Sequence, residues 1–131
     1  MRRRRVVVVV AVIAALLVVA GVLVVRRDDT HGVREARAVV ADRGRFRESE
    51  RAARSFAHIA DELLVAGRGC DKAKEACRRT LAAAAYAHVV ASVAIGCTAA
   101  DIEPARAGLE RYLAELSSAQ PEETPTVPNC T

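Results

Sequence analysis

The sequence predicts an all-α protein: one N-terminal transmembrane helix, then a small antiparallel three-helix bundle with disulfides. Three observations predict it. Residues 6–25 are apolar without a single charge. Beyond residue 28 the chain is rich in alanine, with apolar positions at helical spacing and no alternating β-branched runs between turn signals. All four cysteines, Cys70, Cys77, Cys97 and Cys130, lie in that second part.

The apolar run sits between Arg2 to Arg5 and Arg26-Arg27. At about 1.5 Å per helical residue it spans roughly 30 Å, the hydrocarbon thickness of a bilayer. A cleaved signal peptide has a shorter apolar core ending at a small-x-small site. Here the run passes the one plausible site, Val18-Val19-Ala20, and continues through Val22-Leu23-Val24-Val25, so an uncleaved anchor is expected, with cleavage after Ala20 as the alternative. A twin-arginine export signal fits this long apolar run poorly. Residues 1–5 form a basic N-terminus, expected in the cytoplasm by the positive-inside rule. Arg34, Arg37, Arg43 and Arg45 nearly balance that count on the far side. The cysteines decide it: an even set in a small domain suits an oxidising compartment, so residues 26–131 are placed outside the cell membrane.

The formal net charge of +4 is not a property of the soluble part. The six arginines flanking the anchor carry the excess, and residues 28–131 are near −2. No basic domain suggests nucleic acid. Arginine far outnumbers the two lysines, and alanine and valine dominate, as in a protein from a high-GC bacterial genome.

The helical domain is expected over 26–118. Its first helix runs from about Val33 to Ala66, with a candidate break at Gly44. Phe46, Ala53 and Ala60 recur every seven residues beside Ser49, Phe56 and Leu63, a buried seam. Arg47, Arg51 and Arg54 fall opposite, with Glu50 four before Arg54. Gly67-Arg68-Gly69 ends this helix with a left-handed cap. The second helix begins at Asp71 or Lys74 and reaches Ile95, and Leu81 to Cys97 carries no charge. Alanine supplies seven of those seventeen residues, and His88 and Ser92 interrupt them, so a buried central helix is favoured over a second span. The third helix starts at Asp101 as N-cap with Pro104 in the first turn. Ile102, Ala105, Leu109, Tyr112, Leu113 and Leu116 form its inner face, and Ser117-Ser118 and Pro121 stop it. Residues 119–131 read as a flexible Pro-rich tail ending in Cys130.

The core is thin, with no Trp and few aromatics, so the cysteines have a structural role to fill. Cys70 and Cys97 bracket a helix about 40 Å long, and a disulfide needs Cα atoms within about 7 Å. Cys77 and Cys97 are excluded on the same ground. Cys97 therefore pairs with Cys130, which the extended tail can return, and Cys70 pairs with Cys77 if the helix starts after Lys74. The rival joins Cys130 to Cys70 or Cys77. The spacings contain no Cys-x-x-Cys, which disfavours zinc and a redox pair.

Two weak site candidates come from histidines. His58, Asp61 and Glu62 share one side of the first helix, with the reach to hold a divalent ion, though an exposed His–Glu pair is the ordinary explanation. His88 and Tyr86, near a helical core, have the chemistry to ligate haem, against the simpler reading that Ser92 satisfies the histidine. His31 stands beside the anchor without a partner. Ser49, Ser55 and His58 coexist on one helix, with Ser55 and His58 expected outward and no cleft indicated. No Gly-x-Ser-x-Gly elbow, phosphate loop or dinucleotide fingerprint occurs. Asn129-Cys130-Thr131 matches a glycosylation sequon by chance. Arg43, Arg47, Arg51 and Arg54 form a stripe expected near the membrane, balanced by Glu48 and Glu50. Ala11 and Ala15 make a small-xxx-small pair in the anchor. No motif resembles a named family. The expectation is a single-pass, non-catalytic interaction or structural module of the bacterial envelope. It contacts lipid through 6–25, and a protein partner or another copy of itself, with no resident cofactor; a haem- or metal-binding envelope protein is the alternative.

Overall fold

The structure is a computed structural model that describes residues 11–12, 32–116 and 124–130. The basic N-terminus, the expected anchor apart from the helical residues 11 and 12, the Ser117-Ser118 stop and the first part of the tail lie outside the described residues.

Among the described residues beyond 31 there are four α-helices and no strand. Helix α1 covers 32–41 and buries Ala36, Val39 and Val40, one helical stripe. The chain then leaves the helix at the candidate break near Gly44, so the segment from Val33 to Ala66 is two helices. Asp42 makes the break. Its Oδ1 accepts the Gly44 N–H at 3.2 Å and its Oδ2 accepts Arg45 Nε at 3.0 Å, which draws the backbone into a 3-10 turn over Arg43–Phe46. Phe46 ends that turn buried and meets Phe56 edge-on, ring centroids 5.0 Å apart.

Helix α2, Ser49–Gly67, buries Ala53, Phe56, Ala60 and Leu63 from the expected seam, together with Ala52, Ile59 and Ala66. Ser55 is also buried, where the heptad frame places it outward. The left-handed residue of the Gly-Arg-Gly triplet is Gly69 (φ 76°), while Gly67 is still helical. Helix α3, Glu75–Val93, is prolonged by a 3-10 turn, Ala94–Gly96. It is the one helix among the described residues long and apolar enough to cross a membrane. One side packs against α2 through Ala83, Ala84, Ala87 and Val90. The expectation of a wholly buried helix is corrected: Val89 (47% exposed), Val93 and Ile95 (65%) are open.

Helix α4, Ala99–Ala114, is capped by Thr98 and not by Asp101. Asp101 is the third residue of a capping box. It donates its backbone N–H to the Thr98 hydroxyl, and its carboxylate accepts the Thr98 N–H. Pro104 consequently lies inside the helix, one turn later than expected. All six inner-face residues named from the sequence are buried.

Cys70 is joined to Cys77 (Cα–Cα 5.8 Å) and Cys97 to Cys130 (Cα–Cα 5.0 Å). The first bond is feasible because α3 begins only at Glu75, as the geometric argument required. Residues 124–130 have no regular structure but lie on the helices: a Cβ at Gly108 would meet Pro125 at 2.7 Å.

Candidate functional site

At its near end α1 begins against the last turns of α2. A Cβ on Gly32 would collide with the carbonyl oxygen of Glu62 and come within 3.1 Å of Ala66, so only glycine allows this approach. The same end carries the start of α3 and the finish of α4, since Arg79 of α3 reaches the Glu115 carbonyl at 3.0 Å. The 42–48 break lies at the opposite end, with the 94–98 turn. Arg43, Arg47, Arg51 and Arg54 start where α1 finishes, away from the end at which the chain enters the domain. Arg51 and Arg54 pair with Glu48 (3.5 Å) and Glu50 (3.6 Å) as solvated ion pairs.

The histidine candidates are not assembled into sites. His58 Nδ1 lies 4.0 Å from Glu62 Oε1 on an exposed surface, and Asp61 is exposed beside them. Among the described residues no three His, Cys, Asp or Glu side chains converge as a metal would need. Tyr86 and His88 are two residues apart on α3, about 200° around a helix, and the structure separates them accordingly. Tyr86 is buried and His88 is exposed. The Ser92 hydroxyl donates to the backbone carbonyl of His88 at 3.0 Å and leaves the imidazole to solvent. Tyr86 serves the fold instead. Its hydroxyl lies 3.3 Å from the Ala105 carbonyl and 3.5 Å from that of Thr126, and bridges α4 to the tail. Burial pushes its phenol up to about 12.

The polar groups that matter most to the fold do not stand out in the sequence. Arg106 is 1% exposed. Its guanidinium bonds Glu103 at 2.7 and 2.9 Å, Glu110 at 2.8 Å, and the Val40 carbonyl at 2.9 Å. Val40 is in the last turn of α1, where carbonyls lack helical partners. Arg37 of α1 in turn donates through Nε to the Leu113 carbonyl at 3.0 Å, and Arg79 to Glu115, both at the finish of α4. Two buried arginines, Arg79 and Arg106, and the exposed Arg37 therefore close helix C-termini across the fold, where a cation also meets the negative end of the helix dipole. The Arg106 hydrogen bond holds the Glu103 carboxyl below its ordinary range. A sequence signal does exist: Glu103 and Glu110 bracket Arg106 at i−3 and i+4.

Shallow hollows indent the surface, one of about 340 Å³ beside the Cys70–Cys77 bond and one of about 220 Å³ between α4 and the tail. Neither is lined by a histidine, and every cysteine is bonded. No family model, curated protein or solved structure matches the chain.

Proposed function

We propose that the chain is a single-pass membrane protein, with residues 6–25 as an uncleaved anchor and the helical domain outside the cell. There it serves as a non-catalytic interaction or structural module of the bacterial envelope. The observation that carries this is the charge-free run of 6–25 between arginine clusters. Two bonded cysteine pairs support an oxidising compartment. In this reading the soluble part is an antiparallel bundle of short-linked helices, extended from three members to four by the Asp42 break. An interaction role is favoured over ligand binding because His88 and Tyr86 diverge and His58, Asp61 and the half-buried Glu62 do not converge on a common point.

The test is labelling of intact cells with a membrane-impermeant thiol reagent, before and after an impermeant reductant. Labelling that appears only after reduction supports an external, disulfide-bonded domain. Labelling that appears only after lysis, on four free thiols, refutes it.

A further inference from the structure

The only two lysines of the chain, Lys72 and Lys74, lie four residues or fewer from Cys70 in the loop that the Cys70–Cys77 bond closes. The loop is held in one shape. Asp71 Oδ1 accepts the Ala73 N–H at 3.0 Å, and Arg78 donates to the carbonyls of Lys72 (3.3 Å) and Ala73 (3.0 Å). Arg68, Lys72 and Lys74 all project into solvent, and among the described residues neither lysine makes an ion pair. The far-end arginines differ, since Asp42, Glu48 and Glu50 offset Arg45, Arg51 and Arg54.

Next to this loop, the last turns of α2 expose Leu64 and Val65, each 48% open. Apolar side chains beside lysine and arginine make up the pattern of a surface that rests in the headgroup layer. The chain path puts this surface where such a layer would be. Gly32 packs against Glu62 and Ala66, in the same turns of α2. Only residues 26–31 separate it from the apolar run, a stretch that reaches at most about 20 Å.

We propose that the disulfide-closed loop Arg68–Lys74, with Leu64 and Val65, docks on the anionic headgroup surface of the membrane that holds the anchor. This rests on the anchored reading above. The anchor supplies proximity and the bonded loop is already ordered, so little entropy is lost when it seats. The contact fixes the tilt of the domain and points the open apolar face of α3 around Val93 and Ile95 away from the bilayer.

The lysines supply the readout. The full chain is assembled into nanodiscs of phosphatidylcholine alone, or of phosphatidylcholine with phosphatidylglycerol, which leave both membrane faces accessible. An amine-acylating reagent is applied, and acylation at Lys72 and Lys74 is followed by peptide mass spectrometry. The expected result is a fall in labelling rate of about threefold or more in the anionic discs, restored at about 0.5 M salt. A reference amine placed by Ser92→Lys, near the other end of α3, should label equally in both discs. Unchanged labelling of Lys72 and Lys74 in chain that elutes with the discs overturns the proposal and leaves the anchor standing. An equal fall at the Ser92→Lys amine also overturns it. Chain that elutes apart from the discs overturns the anchor reading and this proposal together.

Discussion

Removal of each disulfide in turn should cost unequal amounts, because the two close loops of different length. The bond between Cys97 and Cys130 spans a sequence separation of 33, and that between Cys70 and Cys77 a separation of 7. The chain-entropy relation assigns about 3.7 kcal/mol to the longer loop and about 2.4 kcal/mol to the shorter. Local effects largely cancel in the comparison. Each pair has one buried cysteine (Cys77 at 5%, Cys97 at 6%) and one half-buried partner. The double variants Cys97→Ala/Cys130→Ala and Cys70→Ala/Cys77→Ala therefore differ mainly in the freedom given to the unfolded chain. The difference of about 1.3 kcal/mol corresponds to a gap in melting midpoint of roughly 5–10 °C for a domain of this size. Freeing Cys130 also loosens the tail from Tyr86 and Gly108, which widens the gap. The assay is thermal and urea unfolding of the full chain in mild detergent, followed by circular dichroism. Equal losses, or a larger loss from opening the short loop, would refute the loop-length reasoning.

Three further outcomes are expected. Arg106→Met leaves the Val40 carbonyl unmet in the interior and should cost about 2–4 kcal/mol in urea unfolding; NMR titration should show the Glu103 carboxyl moving back up to its ordinary range. Gly32→Ala drives a Cβ into the Glu62 carbonyl and should cost about 1–3 kcal/mol, whereas a change below about 0.5 kcal/mol would mean that α1 does not sit so close to α2. Tyr86 is held neutral by burial, with its phenol raised to about 12 against about 10 in the unfolded chain. Its contribution is thus complete below pH about 10 and lost as pH climbs through about 12; Tyr86→Phe should remove that part of the alkaline unfolding curve.

Much of the helical framework is legible in the sequence because periodicity reports burial directly. Phe56, Leu63, Ile102, Leu109 and Leu113 are placed inward by spacing alone, and each is fully buried. The cysteine pairing follows from rigid-body lengths, which a helix fixes without knowledge of side chains. Four features are hidden for physical reasons. The break itself is signalled by Gly44, but its cause, the Asp42 carboxylate competing with helical hydrogen bonding, is a local effect that heptad counting passes over. Thr98 displaces Asp101 as cap because both residues suit the role and only the final backbone geometry separates them. His88 misleads since its apolar neighbours in sequence do not surround it in space; alanine and valine on a helix flank a residue without covering it. Buried arginines escape for the opposite reason. A charged residue reads as surface until a distant carbonyl, here 66 positions away for Arg106 and 36 for Arg79, is known to meet it.

The exchange of arginines between α1 and α4 makes these two helices mutual guarantors. Arg106 of α4 closes α1, and Arg37 of α1 closes α4. Each donor meets a carbonyl near the C-terminus of the other helix, so substitution of either arginine should loosen the end of its partner. The two bonds thus tie α1 to α4 at both ends of their contact. From there Tyr86 and the Cys97–Cys130 bond carry the connection to the tail, and the two extremities of the domain become one mechanical unit.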